Sequence, residues 1–277
     1  MNSNWRVELL IPGGALQAAV ILARDGKEVM LLDTGYHRQE KELLNQLEKR
    51  GLTADSVTLV ANTHLHFDHS HNNSLFRKAK ILCSRREYEW MTGLCRLMTL
   101  DEVNLEDIYH YYPELRSSAH GPKRIWAIVR IVRRIWGIER LGSMDQFLWL
   151  EESRLPDGMS AVPTPGHVPH HYSFAFNTGE GAIIVAGDAV VTRGDEDEDT
   201  TTFPPANRNQ YAETKKKLLG FAGGIIPGHD VPFSGDPQLA QAASTSSIVF
   251  GTGSPSTRNP VSVTRTSSSM RMPPKSR

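Results

Sequence analysis

Residues 61–73, ANTHLHFDHSHNN, place four histidines and one aspartate within eight positions: His64, His66, Asp68, His69 and His71. Imidazoles at this density would repel one another if protonated, so a metal ion bound between them is the simplest reason for the crowding. Two histidines two residues apart at a strand end point the same way, and a following turn can bring Asp68 and His69 to a neighbouring point. The pattern predicts two adjacent metal sites with nitrogen and oxygen donors, which suit Zn²⁺ or Fe²⁺.

Three later positions repeat this logic at the junction of an apolar run and a loop. His167 ends the turn TPGH, Asp188 ends the run AIIVAGD, and His229 ends the turn PGH. Proline and glycine favour the tight turns that present such side chains. Each position is a weak signal alone, but together they supply the ligands that a two-metal site still needs.

Short apolar segments surround these motifs and predict the elements that position them. The histidine cluster directly follows the apolar segment SVTLVAN, at a strand-to-loop junction where functional residues are common. Helical spacing of leucines and a final glycine predict an early helix. The predicted strand segments are 7–11, 18–23, 28–33, 56–62, 78–84, 159–167, 171–178, 182–188 and 224–230, and the predicted helices are 38–51 and 209–222.

Residues 85–150 change character and predict a helical insertion. Within it, 121–142 is amphipathic: Ile125, Val129 and Val132 lie on the apolar face, and Arg130 and Arg134 lie on the basic face. One interpretation is a helix packed on the domain with a solvated basic face. The other is a lid with aromatic residues towards the site and a basic rim that attracts anionic substrates.

Charge and composition limit the classes of function. The formal net charge is zero, but residues 237–277 contain five basic and no acidic residues, which leaves 26 basic and 31 acidic residues in 1–236. A domain of that charge is not a general nucleic-acid binder. We expect a hydrolase domain at 1–236 and a disordered Ser/Thr/Pro/Arg-rich tail at 237–277. The acidic run 195–199 is interpreted as a solvated loop.

The expected location is cytoplasmic. The first residues, MNSNWRVELLIPGG, lack the pattern of a secretory signal, and no apolar run reaches the length of a membrane span. Cys83 and Cys95 match no metal spacing and no disulfide framework, which favours a reducing compartment.

These motifs together resemble the metallo-β-lactamase superfamily. The resemblance rests on LLDTG (31–35), THLHFDH (63–69), TPGH (164–167), GDA (187–189) and PGH (227–229), in that order. It covers about residues 7–235, with 85–150 as an insertion. It implies an α/β fold, an αββα sandwich with the site at one edge between two sheets.

The resemblance also implies a role for each residue. The first of two Zn²⁺ ions would be held by His64, His66 and His167. The second would be held by Asp68, His69 and His229, with Asp188 bridging the two. Fe or Mn are alternatives to zinc. Asp33 would orient the ligand loop, and His171 matches the second histidine of the family's TPGHxxGH motif. His71 and His170 are interpreted as exposed, with hydrogen bonds to the ligands as the alternative. Attack would come from a metal-bridging hydroxide, with Asp68 as the catalytic proton carrier.

Several reaction classes fit this site. Acyl-homoserine lactonases of the superfamily share the ligand set, which predicts a small lactone or ester as substrate, although they commonly place a tyrosine where Val191 stands here. The animal metallo-β-lactamase-domain type linked to RNA processing resembles the chain in SVTLV, GDED and PGHDVPF. It raises phosphodiester cleavage, with nucleic acid as a less favoured partner. A thioester hydrolase similar to glyoxalase II, a non-catalytic metal-binding scaffold and a homodimer also stay open.

Overall fold

Two mixed β-sheets organise the protein. The computed structural model describes residues 5–14, 17–100, 103–117, 121–194 and 204–236. The predicted tail and the acidic run 195–199 lie outside these residues. The first sheet has six strands in the order β1 to β6, which are Arg6–Ile11, Val20–Arg24, Val29–Leu32, Leu59–Ala61, Lys80–Cys83 and Phe147–Trp149.

The second sheet has five strands in the order β11-β10-β9-β8-β7. Strands β9 and β10 run parallel, as do β3 and β4 in the first sheet, so each pair ends at one edge of its sheet. The strands β7 to β11 are Met159–Pro163, Tyr172–Thr178, Gly181–Gly187, Gly224–Pro227 and Phe233–Ser234.

Helices cover the outer faces of both sheets. Among the described residues, no helix is long and apolar enough to cross a membrane. The helices α1 to α6 are Glu40–Glu48, Phe67–Ser70, Arg85–Thr99, Leu105–Tyr111, Pro122–Ile135 and Arg208–Leu219.

The hydrophobic core falls into three layers that match the alternation of side chains along the strands. Leu31 of β3 points to the layer that also holds Leu43 of α1 and Val129 of α5. Its neighbours Met30 and Leu32 point to the layer between the two sheets. A third layer joins the second sheet to α6. The predicted αββα sandwich is therefore confirmed.

The helical insertion differs from its prediction at both the strand and the helix level. The predicted range 85–150 includes β6, which pairs in parallel with β5 and completes the first sheet. The amphipathic helix ends at Ile135 rather than near 142, because the backbone of Trp136 is extended. The apolar and basic faces of this helix are otherwise as predicted: Ile125 and Val129 are buried, and Arg130 is exposed.

Candidate metal centre

The carboxyl ends of the strands bring the candidate ligands to one place. The strand β4 ends three residues before His64, β9 ends directly before Asp188, and β10 ends two residues before His229. The turn after β7 carries His167. The loop after β4 then becomes the single-turn helix α2, which begins at Phe67. Residues from four separate segments therefore share one edge of the sandwich.

The first group comprises His64, His66, His167 and Asp188, whose donor atoms lie within 4.8 Å of one another. Nδ1 of His66 is 2.8 Å from Nε2 of His64 and 3.0 Å from Nε2 of His167. Oδ2 of Asp188 lies 3.2 Å from Nε2 of His167. Three imidazoles thus direct one ring nitrogen each towards a common point beside a carboxylate.

The second group comprises Asp68, His69 and His229, and it meets the first group at Asp188. Oδ1 of Asp188 lies 3.2 Å from Nε2 of His69 and 3.4 Å from Nε2 of His229. Oδ2 of Asp68 lies 3.4 Å from the same nitrogen of His229. The two oxygens of Asp188 therefore face different groups, as a bridging ligand requires.

The donor set fits divalent metal ions. Among the described residues, Nε2 of His69 and Oδ1 of Asp188 are buried and make no hydrogen bond of good geometry. Buried polar atoms without partners are costly, and a cation between them would satisfy both. Neutral imidazole and carboxylate are ordinary ligands of Zn²⁺ and of Fe²⁺. The seven residues could hold two ions, with Asp188 contacting both.

Hydrogen bonds on the outer side of the rings fix which nitrogen faces the centre. Asp33, at a positive φ of 55°, accepts from the backbone N–H and the hydroxyl of Thr63. Its Oδ2 also lies 2.8 Å from Nδ1 of His69, which leaves Nε2 of that ring for the centre. The hydroxyl of Thr63 lies 3.1 Å from Nδ1 of His64. Such partners tune ligand basicity and orientation.

The glycines of the two PGH turns allow close approach. A Cβ at Gly228 would lie 1.9 Å from Oδ1 of Asp188. Gly166 has a φ of 134°, and a Cβ there would lie 2.3 Å from the backbone nitrogen of Tyr211. Nδ1 of His229 donates to the carbonyl oxygen of Gly14 at 2.8 Å. The glycines are therefore part of how the centre is assembled.

Burial and charge give the histidines very different proton affinities. Burial lowers the pKa of His66 and of His167 to about 3, and burial with the neighbouring imidazoles holds the pKa of His64 well below its usual range. Burial also opposes charge on His229, but Asp188 and Asp68 outweigh it and raise its pKa to about 9.

His69 follows the same pattern as His229. Burial opposes its charge, yet the carboxylates of Asp188 and Asp33 raise its pKa well above the ordinary value. Burial opposes charge on Asp188 too, but His229, His69 and His167 hold its pKa well below the usual range.

The other predicted histidines lie in different surroundings. His171 is fully buried, with Nδ1 2.8 Å from the hydroxyl of Thr164 and its ring 5.1 Å from that of His64. His71 was expected to be exposed but is buried, with its ring 5.4 Å from that of His37. It follows α2 directly and packs inward with that turn. His170 is half-buried.

The sequence patterns did not indicate four contacts around the centre, because each contact joins segments that are distant in the chain. The hydroxyl of Tyr112 lies 2.7 Å from Nε2 of His66. Glu87 is buried, which raises its pKa to about 8, and it accepts a hydrogen bond from the backbone of Leu65. Phe67, between two candidate ligands, packs against Trp136 and Tyr36 with ring centroids 6.3 Å apart in each case. The aromatic content of 85–150 hinted only that such contacts exist.

Known proteins are similar to this chain in sequence. The model of the metallo-beta-lactamase superfamily matches residues 13–229. Human metallo-beta-lactamase domain-containing protein 1 is 27% identical over 225 residues, which cover 80% of this chain and 65% of that protein. An N-acyl homoserine lactonase of Bacillus thuringiensis is 24% identical over 198 residues, which cover 70% of this chain and 64% of that protein.

The fold comparison agrees with the sequence comparison. The crystal structure of a metallo-beta-lactamase family protein from Thermus thermophilus superposes with a TM-score of 0.61 at 21% identity, covering 85% of this chain and 77% of that one. The chain spans just under two thirds of the length of the curated relatives named above. The family match includes every candidate ligand, and the chain belongs to the metallo-beta-lactamase superfamily.

Proposed function

We propose that this protein is a two-metal hydrolase that cleaves a lactone or ester carrying an apolar acyl group. The observation that carries the proposal is the position of Phe67, between the candidate ligands His66 and Asp68. Its half-buried ring packs edge-on against Tyr36 and Trp136. We call these three rings the aromatic wall. Trp136 is buried, but Tyr36 and Phe67 are half-buried, and their partly exposed apolar faces favour an apolar substrate group.

The similarity to the Bacillus lactonase supports acyl chemistry. When bound, two divalent ions supply a water of lowered pKa and polarise the carbonyl oxygen under attack. The protein's own side chains must then hold the ions, orient the substrate and move protons. His64, His66 and His167 are proposed to hold one ion, and Asp68, His69 and His229 the other, with Asp188 shared.

Asp68 is the carboxylate best placed to carry a proton. Its side chain is 16% exposed, against 6% for Asp188 and 2% for Asp33, so a substrate reaches it most easily. In the proposed reaction the carbonyl carbon gains the water oxygen and the bond to the leaving alcohol breaks. A carboxylate oxygen of Asp68 takes the proton of the water and passes it to the leaving oxygen.

A second candidate function is phosphodiester cleavage. The observation in its favour is the exposed basic face of α5, which carries Arg130 and Arg134. The helix α5 ends one residue before Trp136 of the aromatic wall. A polyanion lying along this face would reach the metal centre past Phe67. Because the similarity to the Bacillus lactonase supports acyl chemistry, we place this function second.

One experiment separates the two functions. The Zn²⁺-loaded protein is assayed on a long-chain acyl-homoserine lactone and on bis-p-nitrophenyl phosphate, with His66→Ala as the blank. We expect kcat/KM for the lactone to exceed that for the phosphodiester by at least about 100-fold, a difference of about 2.7 kcal/mol in transition-state stabilisation. A ratio of that size in the opposite direction would replace the proposal by phosphodiester cleavage.

A further inference from the structure

A tyrosine of the helical insertion touches the metal centre directly. Tyr112 follows the last residue of α4 and is 1% exposed. Its hydroxyl oxygen lies 2.7 Å from Nε2 of His66, and the two rings are tilted by only 23°. Trp90 of α3 packs edge-on against the tyrosine at 5.4 Å, which restricts its motion. The hydroxyl is therefore held against the outer nitrogen of one candidate ligand.

The geometry of His66 gives this contact a specific consequence. Its Nδ1 points at His64 and His167, so Nδ1 is the nitrogen available to a metal ion. A neutral imidazole carries one proton, which must then be on Nε2. The hydroxyl oxygen of Tyr112 is the acceptor placed to receive that N–H.

We propose that Tyr112 is a positioning residue for the metal centre: it selects the tautomer and orientation in which His66 presents Nδ1 to the ion. The helical insertion is then a working part of the centre and not only a cover. The inference rests on metal binding by His66, but not on the identity of the substrate. Mutation of the residue that hydrogen-bonds the outer nitrogen of a ligating histidine typically lowers metal affinity by about 10–100-fold.

A second contact supports the same role for the insertion. The carboxyl group of Glu87 in α3 accepts a hydrogen bond of 3.2 Å from the backbone nitrogen of Leu65, the residue between His64 and His66. The insertion thus holds this short segment through its backbone at one residue and through a side chain at the next. Neither contact would be needed if α3 and α4 only covered the site.

The test compares Tyr112→Phe with Tyr111→Phe. Tyr111 is the neighbouring residue, packs on the same Trp90 and has no contact with the candidate ligands among the described residues. Zn²⁺ affinity and stoichiometry are measured by chelator competition, and the Co²⁺-loaded proteins are compared by visible absorption. We expect Tyr112→Phe to weaken one of two metal sites by about 10–100-fold and to alter the Co²⁺ spectrum, while Tyr111→Phe leaves both unchanged.

A double-mutant cycle with His66→Ala separates positioning from packing. If Tyr112 acts through His66, Tyr112→Phe causes no further loss of metal affinity once His66 is absent. Wild-type affinity and spectrum in Tyr112→Phe, or an equal loss in the His66→Ala background, would overturn the proposal. A wild-type protein that binds two ions but does not hydrolyse lactones would overturn the proposed function and leave this inference intact.

Discussion

The two halves of the metal centre use the same kinds of residue but differ in charge. In the first half, His64 and His167 are buried and His66 is half-buried. The pKa values of all three imidazoles are lowered, to about 3 for His66 and His167. In the second half, carboxylates oppose the effect of burial and raise the pKa of His69 and His229, the latter to about 9.

This difference predicts unequal loading of the two halves. At neutral pH the first half offers free nitrogen lone pairs, whereas the metal-free second half carries protons that an ion must displace. The cause is the placement of Asp33 beside His69 and of Asp68 beside His229, with Asp188 between the halves. The HxHxDH motif alone gives no sign of it.

Asp188→Asn should have the largest effect, because it removes the charge that both halves share. We expect a metal stoichiometry of at most one ion per chain and a loss of at least about 1000-fold in kcat/KM, or about 4 kcal/mol. Elemental analysis and lactone kinetics measure both. Asp55→Asn, at an exposed pair with Lys78, is the control. Two tightly bound ions in Asp188→Asn would contradict the shared role.

Asp68→Asn should break only the second half and the proton transfer. Turnover is expected to fall by about 100- to 10,000-fold, because general acid–base catalysis contributes that much. Metal affinity of the first half should stay unchanged, since Asp68 faces His229. Isothermal titration with Zn²⁺ and kcat measurements test this. Near-normal kcat with both ions bound would remove Asp68 from the mechanism.

The pH dependence of metal binding should sharpen the comparison. Below pH 9 the second half gains protons on His229, so its metal affinity should fall by about tenfold per pH unit for each proton displaced. The first half, with His66 and His167 at about 3, should keep a constant affinity from pH 9 to pH 6. Chelator competition at several pH values measures both sites. Parallel curves would show that the asymmetry is absent.

The smallest expected effect concerns Phe67, which stands between the two halves. Phe67→Ala should raise KM by about tenfold for long acyl chains and less for short ones, since a lost aromatic contact is worth about 1.5–3 kcal/mol at most. A KM of Phe67→Ala that changes equally at every chain length would argue against the aromatic wall.

Trp126→Ala, on α5, tests whether the insertion acts as a lid.

Local patterns predicted the candidate ligands and most of the elements that carry them. The strand preceding His64 and the turn before His229 are visible as apolar runs followed by polar residues. Tyr112 and Trp136 could not be assigned, because their contacts depend on how the helical insertion packs. The strand β6 was not predicted, because its three residues form a strand only by pairing with β5. Long-range packing is what single-sequence patterns leave out.

The hydrogen bond between His229 and Gly14 joins residues 215 positions apart. Most of the chain must therefore be synthesised and folded before the second half of the centre can close. Contacts of such high sequence separation form slowly, because a long loop must be ordered first. Completion of the second half is then expected late in folding, after the segments that carry Gly14 and His229 have come together.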